Sequence, residues 1–111
     1  MGYIPEDAKW WIARLIVEIR VKGERQNVVH INTVLVRADS PKEAYEKTLK
    51  LGRDENVSFN NPLGQKVTMR FRGISQLDVI YDDLEHGAEL TFSQSTGMSE
   101  KQIRQRIKRK A

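Results

Sequence analysis

The sequence predicts a two-layer α+β domain. An antiparallel sheet of about five strands, in the order ββαβββ, carries one helix on one face and is followed by a basic C-terminal tail. Three observations lead there. Residues 10–38 hold two long runs of alternating apolar and polar side chains, residues 39–52 have the period and the caps of a helix, and residues 66–93 hold three shorter alternating runs. With 111 residues and 39% hydrophobic content, the chain can fill one core and not two.

The elements follow in order. In WWIARLIVEIRV (10–21), Trp11, Ala13, Leu15, Val17, Ile19 and Val21 share a face, and Arg14, Glu18 and Arg20 lie on the other, which is the period of a strand. KGERQN (22–27) is a polar turn around Gly23, and VVHINTVLVRA (28–38) is a second strand rich in β-branched residues. The two form a hairpin. At ~3.3 Å per residue each arm runs roughly 35 Å, long enough to call for a bulge or bend.

DSPKEAYEKTLKLG (39–52) is the clearest local signal. Ser40 is an N-cap, Pro41 stands at the first helical position, and Glu43 completes a capping box. Glu43–Lys47 and Glu46–Lys50 are favourable pairs one turn apart. Ala44, Tyr45, Thr48, Leu49 and Leu51 make the less polar side, and Gly52 is expected to end the helix. Residues 53–65 read as a loop or short irregular strand closed by the turn Asn61-Pro62-Leu63-Gly64.

KVTMRFR (66–72), QLDVIYD (76–82) and GAELTFS (87–93) then alternate as three strands. Opposing apolar to apolar residues pairs Phe71 with Leu77, Met69 with Val79 and Arg70 with Asp78, and then Val79 with Leu90 and Leu77 with Phe92. This register leaves Asp83–His86 as a hairpin tip, with Tyr81 and Leu90 facing the core.

The whole of residues 10–93 resembles a family of short bacterial proteins described as a domain of unknown function, number four-two-eight-eight. The resemblance lies in Trp10-Trp11 leading into LIVEIRV, in NVVHINTVLVRADSPKEAYEKTLKLG, and in VTMRFRGISQLDVIYDDLEHGAELTF. It implies a bacterial origin and a small α+β fold, and it implies no activity. The basic tail lies outside it.

Charge divides the chain into a domain, residues 1–94, and a tail, residues 95–111. The domain carries thirteen basic and fourteen acidic residues, the tail six and one, so the net charge of +4 belongs to the tail. A generally basic nucleic-acid-binding body is therefore not expected. The absence of cysteine excludes disulfides, thiolate metal sites and a cysteine nucleophile, and fits a reducing cytoplasm. No signal peptide or membrane-spanning run is read, and Asn56-Val57-Ser58 is a chance match to a glycosylation pattern.

Four places could carry function. Asp82, Asp83, Glu85 and His86 form the densest group of acids and metal ligands, and a metal-dependent enzyme there is one reading. The spacing lacks a regular calcium loop, and a solvated hairpin tip is the plainer reading. His30, on the mostly polar face of its strand, would oppose Glu18 or Arg20. In the tail, Ser99 with Gln102 imitates a capping box. There Lys101, Arg104, Arg106, Lys108, Arg109 and Lys110 could neutralise the phosphates of a nucleic acid, or could only solubilise a frayed end.

The fourth place is a sheet face. Trp10, Ile12 and Ile16, with Val34 and Val36 across the hairpin, are expected on the face that a single helix leaves uncovered. A twofold partner is the first candidate to cover them, the C-terminal segment the second. The sequence thus points to a non-enzymatic interaction module, expected to assemble as a homodimer or with another protein. It calls for no cofactor.

Overall fold

The computed structural model describes residues 9–108. It holds strands β1 (Trp10–Val21) and β2 (Val28–Arg37), helix α1 (Pro41–Arg53), strands β3 (Val57–Asn60) and β4 (Lys66–Val79), and helix α2 (Glu100–Arg106). The sheet is antiparallel, with strand order β2-β1-β4-β3. The α+β class and the single covering helix stand, but the described residues form four strands rather than about five. Among them, no helix is long and apolar enough to cross a membrane.

The difference lies in β4. Runs 66–72 and 76–82 do not fold back on each other: the first continues into the second, and residues 66–79 form one strand along the whole of β1. Arg70 therefore opposes Glu18, and Asp78 opposes Ile12, which overturns the expected Arg70–Asp78 pair. Two register shifts explain why the pattern misleads. Between Ile16 and Val17, and again between Arg14 and Leu15, β4 carries one residue more than β1. Each extra residue inverts the inside–outside alternation, and two restore it. Val67, Met69 and Phe71 before the bulges share a face with Leu77 and Val79 after them, as they would in a hairpin. Gly73, with φ of 148°, lies between the shifts. The expected bulge in a long strand is present, but in β4 rather than in the β1–β2 pair.

β1 is central, flanked by β2 and β4, and its helix-side residues make the core. Trp11, Ala13, Leu15 and Val17 are buried with Val36, Ala38, Val67 and Val79. The Trp11 indole Nε1 donates to the Ala38 carbonyl at 3.2 Å, so its polar edge is satisfied within the core.

Helix α1 has the expected Ser40 cap but not the expected capping box, because the Glu43 carboxylate turns to Lys47 instead of the Ser40 amide. Ser40 Oγ accepts from the Glu43 amide at 3.1 Å and Pro41 stands at the helix start. Glu43 makes its side-chain contact with Lys47, at 3.0 Å. The helix applies a narrow column of small groups, Ala44, Thr48 and Gly52, to the sheet, while Tyr45 and Leu51 are exposed. Buried Thr48 Oγ1 donates to the Ala44 carbonyl at 2.6 Å, which lets a hydroxyl sit in the core. Gly52 does not end the helix; Asp54 is the C-cap, and Gly52 has another role, set by Phe71.

The irregular segment before β4 contains β3, paired with β4 from Val57–Met69 to Asn60–Lys66. Its turn is the expected one. Gly64 has φ of +79°, and Asn61 Oδ1 accepts from the Leu63 and Gln65 amides at 3.0 and 2.9 Å. Residues 87–93 alternate like a strand but form none. They pass the expected stretch of β4 all the same, since Leu77, Val79, Leu90 and Phe92 line one cleft there. Side chains make the link: Thr91 Oγ1 meets Gln76 Nε2 at 3.0 Å and Asp78 Oδ2 at 3.4 Å.

Candidate functional site

The acidic loop is shaped by its own hydrogen bonds. Asp82 Oδ2 accepts the Glu89 amide at 3.0 Å, the Ala88 amide donates to the Glu85 carbonyl at 3.0 Å, and Gly87 takes φ of +85°. These bonds bend the chain. Asp82, Asp83, Glu85 and His86 all lie exposed, and among the described residues no three His, Asp or Glu side chains are grouped to hold a metal ion. Tyr81 and Leu90, expected to face the core, are exposed because the segment after β4 leaves the sheet.

His30 opposes Val17, not Glu18 or Arg20, and is exposed on the helix side of the sheet. In the tail, α2 has a complete capping box, with Ser99 Oγ accepting from the Gln102 amide and Gln102 Oε1 accepting from the Ser99 amide. Lys101, Arg104, Arg106 and Lys108 are exposed, and Arg104 pairs with Glu100 at 3.2 Å. Arg109 and Lys110 lie outside the described residues.

The helix-free face of the sheet is built by register. Even-numbered residues of β1 point to it: Trp10, Ile12, Arg14, Ile16, Glu18 and Arg20. Their β2 neighbours are Arg37, Leu35, Thr33, Ile31 and Val29. Val34 and Val36 oppose Ala13 and Trp11 and so belong to the helix side, where Val36 is buried. Their expected place beside Trp10 is corrected by a one-residue change of register, which exchanges the faces of a whole strand. The residues that replace them, Leu35, Ile31 and Val29, are 48%, 56% and 51% exposed. The sequence carried the signal, since β2 is apolar on both faces.

One end of this face is closed by the chain. Ile12 is buried beside Asp78 and Leu35, as is Ile80, whose amide donates to the Trp10 carbonyl at 2.9 Å. The Arg37 guanidinium lies 5.6 Å from the centre of the Trp10 ring. The other end is open and basic. A shallow groove there is lined by Glu18, Arg20, Thr68, Arg70 and Arg72. Glu18 is its hub, accepting Asn27 Nδ2 at 2.6 Å and pairing with Arg72 at 3.0 Å and Arg20 at 3.1 Å.

The Asn27 hydrogen bond, with the charges of Arg20 and Arg72, holds the Glu18 carboxyl below the ordinary glutamate range against the opposing effect of desolvation. A carboxyl with a lowered folded-state pKa stabilises fully above its unfolded value and loses that contribution as pH falls through the folded value. Glu18→Gln is therefore expected to reduce stability at neutral pH. The gap between the denaturation midpoints of the two proteins should narrow from about pH 7 to about pH 3. A gap that stays constant would mean that Glu18 acts through packing alone.

Residues 10–92 match the family described as Domain of unknown function (DUF4288). No curated protein and no solved structure matches the chain.

Proposed function

Because the chain belongs to this family of unknown function, over nearly all of its folded part, we propose a role from geometry: a non-enzymatic interaction module whose helix-free sheet face receives a protein. One observation carries the reading. Val29, Ile31 and Leu35 stand about half exposed in a row on β2, next to half-buried Ile16, on the face opposite α1. A row of large aliphatic side chains on a regular sheet gains free energy when a second surface removes it from water. Its rim is polar, as in interfaces that form and dissociate. The cysteine-free composition suits a cytoplasmic setting for such a module.

The test is a photo-crosslinking residue placed at position 31 or 35 of the full chain in cells of the native host. A discrete protein adduct is expected from both positions and none from position 45, where exposed Tyr45 lies on α1. Ile31→Ser with Leu35→Ser is expected to abolish the adduct formed through a label at position 29. The exposed sites should change stability by only about 0.5 kcal/mol each. Equal labelling from positions 31 and 45 would sink the proposal.

A further inference from the structure

We propose that the partner of this face is a protein segment bearing carboxylates beside apolar side chains. The inference rests on the interaction reading above and adds the chemistry of the partner. Around the open row of Ile16, Ile31 and Val29 stand Arg14, Arg20, Arg70 and Arg72, with Glu18 the single carboxylate in that part of the face. Glu18 is engaged by Asn27, Arg20 and Arg72. Arg14 and Arg70 are exposed and form no ion pair among the described residues. The face therefore offers an apolar strip with guanidinium groups free to donate to carboxylates in a two-pronged bond.

A second copy that docks face to face cannot complete this arrangement. The other carboxylate of the face, Asp78, is already bonded to Gln76 and Thr91, so two such faces bring together excess arginine and no free acid. Like charges brought together without partners oppose association. Nucleic acid fits less well, because the strip is aliphatic and offers bases little to stack on. The one indole on the face, Trp10, is already covered by Arg37. Carboxylates set among aliphatic side chains meet both halves of the surface.

The experiment measures binding of the full chain to a labelled peptide that alternates glutamate with valine. Its lysine–valine counterpart, a single-stranded oligonucleotide and an anionic phospholipid vesicle are the comparisons. The glutamate peptide is expected to bind best, and about tenfold more weakly when salt is raised or when Arg14→Glu and Arg70→Glu are combined. Arg70→Ala alone, which adds no new repulsion to the fold, should weaken it in the same direction, and Ile31→Ser should weaken it at all salt concentrations. Loss with Ile31→Ser but not with the arginine variants overturns the charge inference and leaves the interaction face standing. Tighter binding of the oligonucleotide or vesicle, failure of the glutamate peptide to bind, or a wild-type dimer dissociated by Ile31→Ser each overturns the proposal.

Discussion

Trp11→Ala is expected to destabilise the domain by about 3–5 kcal/mol. For a single small domain that is a large share of a total that runs to about 5–15 kcal/mol. The indole is 4% exposed and packs in the cluster of Ala13, Val36, Ala38, Ala44 and Val79, where β1, β2, β4 and α1 meet. Removing it opens a cavity at that junction and leaves the Ala38 carbonyl without the indole hydrogen bond. Trp11→Phe separates the two effects, because it keeps most of the apolar volume and loses the bond, at a cost of about 1 kcal/mol for the bond itself. Trp10 provides the comparison. It is only half-buried, at the end of the opposite face, and its replacement by alanine should cost clearly less. Urea denaturation followed by circular dichroism reads all three variants. Equal losses from Trp10→Ala and Trp11→Ala would contradict the assignment of faces in β1.

That assignment was legible in the sequence, and so were the hairpin of β1 and β2, the Ser40 cap, the Asn61–Gly64 turn and the capping box of α2. Each is written in neighbouring residues. What the sequence hid depends on distant ones. The bulges in β4 cancel in their effect on alternation, so a hairpin at 73–75 and a continuous strand leave the same pattern in residues 66–79. The register of β2 on β1 turns on how the six residues 22–27 are spent in the loop. Both faces of β2 are apolar, so hydrophobic matching could not choose between Val34 and Val36, which went to the core, and Ile31 and Leu35, which did not. Residues 87–93 have the alternation of a strand, but they reach β4 through Thr91 and not through a backbone ladder.

The candidate face was legible to the same extent. Trp10, Ile12 and Ile16 followed from β1 alone. The arginines did not, because Arg70 and Arg72 come onto that face beside Glu18 only once β4 pairs with β1 rather than with the run that follows it. A charge balance taken along the chain read the body as nearly neutral. Folding separates the signs, collecting arginine on one end of one face. The acidic loop illustrates the converse: it is dense in sequence, yet among the described residues it brings together no group that could hold a metal ion.

The second large effect concerns Gly52. It lies in the last turn of α1 with the ring of Phe71 directly over it, so a methyl group added there would fall within the ring's van der Waals radius. Gly52→Ala is expected to destabilise the domain by about 1–3 kcal/mol through overpacking, even though alanine is the better helix former by about 1 kcal/mol. The two contributions can be separated by making room. Phe71→Leu alone should cost stability, because the shorter side chain leaves the space between α1 and β4 underfilled. In the Phe71→Leu background, Gly52→Ala should lose its penalty and become neutral or stabilising by up to about 1 kcal/mol, since only the helix preference then remains. A double-mutant cycle measured by urea unfolding reads the reversal directly. Additive losses would mean that Phe71 can swing aside at no cost and that Gly52 is not what sets the distance between helix and sheet.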